Sequence, residues 1–405
     1  MRSLLAEPRF RRWYAAREIS EAGAVATAVV LPLLTYRLTG SAALTAVVAG
    51  MEAVPYLLFG LFAGAVADRH SSKLIMIAAD CFCALSLAVP LAGYLSGTVQ
   101  TWHLLVAAFG ISTGFAWNNA AAWGAQARIA GRDRLAAANQ LAWSTDVVIG
   151  IAVPVIAGAV AAVADPVLLL AFDLATYLVS AALIASLAGF DAETPPRDTR
   201  IRTGLTFLWG HELLRPLTIA ACGLSMSFGG AGALLVVHAE RTLHVMTDDA
   251  RIGLLFGARA VGSLAATLAL SFLVRRAGYG RVLTVAYASL AAALVALALN
   301  PYFGLALVLW SLFELSRFCS TMSGITVRQL LTPDDLQGRV NTVGRMVAWG
   351  GAPVGAFAGG AIASSAGITP ALLLLALPAV AALVILLRSP GRHLGDLTPA
   401  TLPSP

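Results

Sequence analysis

Long apolar runs separated by short polar segments fill the chain from residue 13 to residue 387. A helix needs about 20 mainly apolar residues to cross the roughly 30 Å hydrocarbon layer of a bilayer. Twelve runs meet that length, and each predicts a membrane-spanning helix, with ends placed to within a few residues. The predicted spans are residues 13–37, 43–66, 74–96, 102–126, 138–163, 167–188, 216–239, 252–273, 282–299, 303–326, 341–365 and 369–387.

One polar segment interrupts this series after the sixth span. Residues 190–215 contain several charged residues and a Pro-Pro pair, followed by a short amphipathic stretch, and are too polar to span. They are expected to form a cytoplasmic linker between an N-terminal six-helix bundle, residues 1–189, and a C-terminal six-helix bundle, residues 216–388. The proline-containing tail, residues 389–405, is expected to be disordered and cytoplasmic.

The two halves have the same layout. Residues 128–139, after the fourth span, are echoed by residues 328–341, after the tenth, and a glycine- and proline-rich span follows each. Two copies of a six-helix unit imply a pseudo-twofold axis along the membrane normal and a central path between the halves. The predicted fold is therefore an all-α polytopic membrane protein, with twelve transmembrane helices in two pseudo-symmetric bundles.

Composition supports a membrane protein and excludes a soluble one. Of the 405 residues, 59% are hydrophobic and 12% are charged, about half the charged fraction of an average soluble domain. The mean hydropathy of +0.80 leaves no room for a large extramembrane domain. The four cysteines all lie within apolar runs, so neither a disulfide framework nor a metal site is expected.

The positive charges set the expected orientation. The basic residues form small, spaced groups, unlike the single basic face of a nucleic-acid-binding protein, so no nucleic-acid partner is expected. If the N-terminus is cytoplasmic, 21 of the 27 lysines and arginines fall in cytoplasmic segments. The positive-inside rule thus predicts a multi-pass protein of the cell inner membrane with both termini in the cytoplasm.

The loop between the second and third spans resembles the loop motif of the major facilitator superfamily. Four positions carry the resemblance: Gly64, Asp68, Arg69 and Lys73. In that family the acidic and basic residues latch helix ends together, so the resemblance implies the major facilitator fold and a cytoplasmic latch. The sequence departs from the motif at Ser71 and Ser72, where a glycine and a basic residue are usual, which predicts a weaker latch.

Two further segments narrow the resemblance. Residues 38–41 and 330–341 are similar to the branch that contains macrolide exporters and the enterobactin exporter. In the fifth span, Gly150, Pro154 and Gly158 resemble a reduced form of an exporter-associated motif. These residues and Pro353 in the eleventh span are also explained by close helix packing, which we weight more heavily, while a hinge role is compatible with it.

Ionisable residues inside the predicted spans are candidates for function, because a charge at mid-bilayer costs about 2.5 to 3.5 kcal/mol. The candidates for proton coupling or substrate binding are Glu18, Glu21, Glu52, Asp146, Arg259, Glu314 and Arg317. Asp80 and Asp173 are also intramembrane and are expected to be structural.

Two spans carry paired charges three residues apart. Glu18 and Glu21 share one helix face, which suits a proton-coupling site, unless Arg17 or another arginine neutralises them. Glu21 is the stronger candidate, because Glu18 is expected nearer the water interface. Glu314 and Arg317 are expected to form an internal ion pair.

Arg259 needs an acidic partner from another span. The sequence leaves this partner open among Glu21, Glu52 and Glu314.

The fourth span carries Trp117, Asn118 and Asn119, which suit a ligand with apolar and hydrogen-bonding parts. Phosphate-binding, zinc-protease and nucleophile-elbow motifs are not found in the sequence, so no enzyme activity, metal or cofactor is expected. The sequence favours proton-coupled efflux of an amphipathic small molecule, driven by the proton gradient. The protein is expected to act as a monomer, with membrane lipid as its other partner. An importer or uniporter of a metabolite and a non-transporting sensor are the alternatives.

Overall fold

The structure is a computed structural model, which describes residues 2–51, 54–67, 70–131, 134–187, 201–333 and 336–389. Every regular element in these residues is a helix. The first eight helices, in chain order, are α1 (Arg2–Ala6), α2 (Pro8–Thr39), α3 (Ala42–Met51), α4 (Val54–Ala67), α5 (Ser72–Leu95), α6 (Thr101–Ala130), α7 (Leu135–Val163) and α8 (Val167–Ala185). The next eight are α9 (Ile201–Gly210), α10 (Leu214–Ala233), α11 (Leu235–Arg241), α12 (Arg251–Leu299), α13 (Phe303–Leu331), α14 (Gln337–Trp349), α15 (Gly351–Ser365) and α16 (Ile368–Arg388).

The helices fall where the apolar runs predicted them. In the described residues, eight helices are long and apolar enough to cross a bilayer, and α10 with α11, which meet at 49°, make a ninth span. Helix α12 covers two predicted spans, residues 252–273 and 282–299. Between them Gly278, with φ of 74°, interrupts the helix in a conformation that favours glycine, so the two spans remain distinct. The remaining two predicted spans correspond to α3 with α4 and to α6, so the all-helical polytopic fold is confirmed.

The helices form two compact units. Unit 1 comprises Met1–Leu44, Met51–Asp198 and Met246–Gly257, and unit 2 comprises Thr45–Gly50, Thr199–Val245 and Ala258–Pro405. The division follows the two halves of the chain, except that one short segment of each half belongs to the other unit.

In unit 1, glycines allow two helices to meet at their backbones. A Cβ atom added to Gly158 of α7 would lie 2.5 Å from the Cα atom of Gly253, and one added to Gly253 would lie 2.5 Å from the carbonyl oxygen of Pro154. Pro154 also has no N–H to donate to the carbonyl of Gly150, four residues earlier. This part of α7 therefore combines close packing with a weakened helical hydrogen-bond ladder.

The eleventh predicted span has a comparable interruption in unit 2. Helices α14 and α15 are separated at Gly350, and the buried Pro353 lies in the first turn of α15. Gly355 of α15 packs against the backbone of Met226 in α10 so closely that a Cβ atom would overlap it. Both the packing and the hinge interpretations of these prolines remain compatible with the structure.

The second part of the predicted linker is a helix of unit 2. Leu208 of α9 and Leu214 are fully buried in a cluster with Val340 and Val343 of α14. Leu205 and Trp209 of α9 remain exposed. The stretch from 201 to 214 thus packs on the C-terminal half, while residues 188–200 lie outside the described residues.

Of the predicted latch, Lys73 can be placed. Its Nζ atom donates hydrogen bonds to the carbonyl oxygens of Ala185, at 2.8 Å, and Leu187, at 2.5 Å. A cation at the carbonyl end of a helix is stabilised by the helix dipole. Asp68 and Arg69 lie outside the described residues, and the surroundings of Gly64 are not described.

The two serines that depart from the motif have structural roles. Ser71 caps α5, since its hydroxyl accepts a hydrogen bond from the N–H of Leu74. The buried Ser72 hydroxyl accepts a hydrogen bond from Arg128. Both residues therefore stabilise the start of α5.

Candidate functional site

A salt-bridged acidic group lies between α2 and α7 in unit 1. Arg17 donates two parallel hydrogen bonds to Asp146, with nitrogen–oxygen distances of 2.9 and 2.8 Å. The same guanidinium donates to Glu18 at 2.5 Å. A two-pronged arginine–carboxylate pair fixes the rotation of both helices as well as neutralising charge.

Glu18 is more enclosed than the sequence indicated. The residue is only 9% exposed, and its Oε2 atom is buried without a hydrogen-bond partner in the described residues. Glu18 is therefore enclosed by protein, with Arg17 as its partner. The expectation that it lies nearer the water interface than Glu21 stays a prediction.

Glu21 lines a cavity, one turn along α2 from Arg17. Within the described residues, its carboxylate makes no hydrogen bond or ion pair. The cavity of about 210 Å³ is lined by residues of unit 1: Arg17, Ser20, Glu21, Ala24, Met76, Asp80, Cys83, Gly114, Phe115, Asn118, Asn119, Ala122, Asp146, Tyr177, Ser180 and Ile184. We call this space the acidic cavity. It has room for several waters, at about 30 Å³ each, and is smaller than a typical pocket for a drug-sized ligand.

Asp80 on α5 contributes a second carboxylate to the acidic cavity. It accepts hydrogen bonds from the Nδ2 atom of Asn118, at 2.8 Å, and from the hydroxyl of Ser180, at 2.6 Å. No ion pair to Asp80 is formed by the described residues. Asp80 is therefore held by neutral donors, and Asn118 is its partner on α6.

Asp173 on α8 has the same kind of environment deeper in unit 1. It is fully buried and accepts a hydrogen bond of 2.5 Å from the hydroxyl of Thr27 and one of 3.1 Å from that of Thr176. Gly23 makes this approach possible, because a Cβ atom there would overlap Asp173 and Thr176. In this part of the protein, acids outnumber basic partners.

A second cluster, rich in arginine, lies in unit 2 between α12 and α13. The Nε atom of Arg259 donates to one oxygen of Glu314 at 3.2 Å, and the Nε atom of Arg317 donates to the other at 2.6 Å. Glu314 is 4% exposed. The acid that the sequence left open for Arg259 is therefore Glu314, which both arginines share.

Aromatic rings cover one side of this arginine cluster, which we define as Arg259, Glu314 and Arg317. The ring of Phe228 lies 5.2 Å from the guanidinium carbon of Arg259 and 4.5 Å from that of Arg317. Trp310 lies 5.8 Å from Arg259. The rings present their negative faces to the two cations, which stabilises the cations without neutralising them.

Close packing of the two helices makes the arginine cluster possible. A Cβ atom added to Gly262 of α12 would overlap the carbonyl oxygen of Ser311 and lie 3.1 Å from the Cβ atom of Glu314. The Ser311 hydroxyl also donates to the carbonyl of Ala258, at 2.7 Å. A glycine and a serine facing each other thus bring Arg259 within reach of α13.

The remaining predicted site residues are Trp117, Asn118 and Asn119 of α6 and Glu52, and the structure places only some of them at a site. Asn118 and Asn119 line the acidic cavity, whereas Trp117, on the same turn of α6, does not. Glu52 lies outside the described residues.

Several residues of the two sites were missed or underrated by the sequence reasoning. Tyr177 and Ser180 line the acidic cavity, and Phe228 and Trp310 flank the arginines. For Ser180 a signal was available, because it lies seven residues, about two helical turns, after Asp173 on one face of α8. The aromatic residues gave no such signal, because an apolar span contains many of them.

Comparison with known proteins identifies a consistent set of relatives. A family model described as transmembrane secretion effector matches residues 3–402. The multidrug efflux pump Tap of Mycobacterium bovis is 26% identical over 408 residues, covering 94% of this chain and 93% of that protein, and the same values hold for Tap of Mycobacterium tuberculosis.

Solved structures of transporters share the fold. The nucleoside transporter NupG matches with a TM-score of 0.77 at 11% identity, covering 93% of this chain and 97% of its own. A bacterial homologue of the iron transporter ferroportin, in an inward-facing state, matches with a TM-score of 0.76 at 15% identity over 93% of this chain and 97% of its own. At such identities the likeness establishes the fold.

Proposed function

The chain belongs to the transmembrane secretion effector family of the major facilitator superfamily, and on that premise we propose that it exports amphipathic small molecules in exchange for protons. The major facilitator resemblance of the sequence is confirmed by the family match and by the structural neighbours. The similarity to a multidrug efflux pump over 94% of the chain supports export. The structural neighbours are named for chemically unrelated substrates, so the fold itself does not define the cargo.

The acidic cavity carries the proton-coupling part of the proposal. Glu21 faces a cavity with room for several waters and lacks a hydrogen-bond or ion-pair partner in the described residues. It lies one turn from a guanidinium that is already shared by two acids. A carboxylate in that position can take up and release a proton without first breaking a salt bridge. We therefore assign proton exchange to Glu21, with Arg17 as the neighbouring fixed charge.

Protonation of Glu21 changes the charge of this region, and alternating access follows as the proposed consequence. With the proton bound, the space near Glu18 and Asp146 loses one of three negative charges. The two conformations of a transporter then bind the proton with different affinity, which is the requirement for coupling. In the proposed topology both termini are cytoplasmic, in the cell inner membrane, and the protein acts as a monomer.

Transport in proteoliposomes tests the proposal. With an imposed pH gradient, the parent protein should move members of a panel of amphipathic dyes. The Glu21→Gln variant should lose at least 90% of gradient-driven transport, a tenfold loss that corresponds to about 1.4 kcal/mol. It should still exchange labelled for unlabelled dye without a gradient. The Asp249→Asn variant, altered in an exposed loop, should behave like the parent.

Three results would contradict the proposal. Gradient-driven transport by Glu21→Gln at the parental rate would remove Glu21 from coupling. Net uptake in vesicles of known orientation would indicate an importer or uniporter. A complete lack of transport and exchange across the panel would favour a non-transporting sensor.

A further inference from the structure

The arginine cluster of unit 2 carries more positive charge than it neutralises. Two guanidinium groups, Arg259 and Arg317, share the single carboxylate of Glu314. Arginine stays protonated under all physiological conditions, so the excess positive charge cannot be removed by releasing a proton. A fixed charge in the interior of an apolar helical bundle is stabilised when an anion binds beside it.

The hydrogen-bonding capacity of the cluster is also incompletely used. Each guanidinium has five N–H donors, and within the described residues the hydrogen bonds from the two side chains end on Glu314 alone. Buried side-chain atoms without a hydrogen-bond partner occur elsewhere in the described residues, but none of them belongs to Arg259 or Arg317. The unused nitrogen atoms of these two side chains are therefore not fully buried. The side chains of Arg259 and Arg317 are 17% and 23% exposed, so these donors remain accessible.

The partly buried ring of Phe228 adds an apolar surface next to the accessible donors. Phe228 stacks with Phe313, with ring centroids 6.4 Å apart, and Phe313 meets Trp310 edge-on at 5.5 Å. Phe313 and Trp310 are fully buried, so they support the ring of Phe228 from behind. A guanidinium pair beside such a surface matches a molecule that has an anionic oxygen group joined to an aromatic or apolar body. A cationic group would meet two like charges there.

We propose that the arginine cluster binds the anionic group of the transported molecule, so that acidic amphiphiles are preferred over neutral and cationic ones with the same apolar body. The carboxylate of Glu314 holds the two guanidiniums in place and competes with the ligand for their donors. This inference rests on the proposed transport function for the source of its ligand, and on the geometry of unit 2 for the class of ligand.

Binding to the protein in phosphatidylcholine nanodiscs, without a proton gradient, tests the inference. The probes are dansyl-phenylalanine, its neutral amide and a cationic analogue in which the carboxylate is replaced by an aminoethyl amide. The parent should bind the acid about tenfold more tightly than the amide, which corresponds to one charge-assisted hydrogen bond of about 1.4 kcal/mol. Equal affinity for the acid and the amide, or tightest binding of the cation, would overturn the inference.

Variants separate an anion-binding role from a structural one. Arg317→Gln and Arg259→Gln should lower affinity for the acid about tenfold and leave affinity for the amide unchanged, whereas Arg251→Gln, in an exposed pair with Asp249, should change neither. Glu314→Gln should raise affinity for the acid, because it removes the competing carboxylate, and structural damage would not produce such a gain. Equal losses for acid and amide in all cluster variants would overturn the inference.

Two further arms complete the test. If Arg317→Gln does not fold, Arg317→Lys, which keeps the charge and loses the planar fork, should still lower affinity for the acid and spare the amide. Addition of phosphatidylglycerol to the nanodiscs should leave binding of dansyl-phenylalanine intact. Complete displacement of dansyl-phenylalanine by this lipid would assign the cluster to lipid headgroups and overturn the inference. Because no gradient is used, a failure of proton-driven transport would leave these results unaffected.

Discussion

The two units enclose polar clusters of opposite character on the same helical scaffold. In unit 1, Arg17 forms ion pairs with the carboxylates of Glu18 and Asp146. Asp80 nearby accepts hydrogen bonds from neutral donors, and Glu21 has no hydrogen-bond partner in the described residues. In unit 2, the ratio of acidic to basic groups is reversed, and the carboxylate of Glu314 pairs with two guanidiniums. The comparison shows that the bundle can stabilise either sign of excess charge, provided that hydroxyls, amides or aromatic faces supply the missing partners.

This difference has a chemical consequence. A carboxylate can gain or lose a proton in the range that cells use, whereas a guanidinium cannot. The proposed proton exchange is therefore assigned to unit 1, and the proposed preference for anionic molecules is assigned to unit 2.

Removal of Arg17, the guanidinium that pairs with Glu18 and Asp146, should have the largest effect. Arg17→Gln removes this counter-charge from Glu18 and Asp146. Because the pair is partly buried, the loss should cost about 3 kcal/mol, the lower end of the range for buried ion pairs. We expect a lower free energy of unfolding in detergent titrations and poor expression. The double variant Arg17→Gln with Asp146→Asn should recover much of the loss, and an equally unstable double variant would show that the charge balance is not the cause.

Disruption of the close helix contact under the arginine cluster should come next. Gly262→Ala places a methyl group against the Ser311 backbone and Glu314, and such overpacking costs about 2 kcal/mol. Gly304→Ala is the matched control, because nothing lies within 4 Å of a Cβ atom at that position. The two unfolding curves should differ, with Gly304→Ala close to the parent. Similar curves for both would mean that the contact does not hold α12 against α13.

A smaller effect is expected for the hydroxyl partner of Asp173. Thr27→Val removes the 2.5 Å hydrogen bond to its carboxyl group, at a cost of about 1 kcal/mol for one side-chain hydrogen bond. Thr35→Val is the control on the same helix, since the hydrogen bond that the buried Thr35 hydroxyl makes within the described part of the chain is to the carbonyl of Leu31, one turn earlier. A matching free energy of unfolding for the two valine variants would show that Asp173 does not depend on Thr27.

The sequence predicted the helices well because membrane spans depend on length and apolar content, which are read directly along the chain. It predicted the pairing of charges less well. Arg259 had three candidate acids, because the choice among them depends on how each helix is rotated about its axis. Small residues such as Gly262 and Gly23 set that rotation, and their effect becomes visible only once the facing helix is known.

The acidic cavity could not be derived for the same reason. Asp80 and Ser180 lie 100 positions apart, on α5 and α8, and the sequence gives the depth of each in its span but not the direction it faces. Glu21 and Glu314 were identified because an acid in an apolar run is conspicuous by itself. Neutral partners such as Tyr177 are ordinary residues in such runs.

The smallest effect is expected where a charge pair lies outside both clusters. Asp249 accepts hydrogen bonds from Arg251, which lowers the pKa of the Asp249 carboxyl below its usual value. Since the pKa is lower in the folded protein, the pair stabilises the fold at neutral pH, and this contribution is lost as the pH falls through the acidic range. Asp249→Asn should therefore melt slightly below the parent at pH 7, and the difference should shrink as the pH falls below the usual range of a carboxyl pKa. A large difference in melting temperature at pH 7 would mean that this exposed pair stabilises the fold as much as the enclosed ion pairs do. The proposed difference between exposed and enclosed charges would then be wrong.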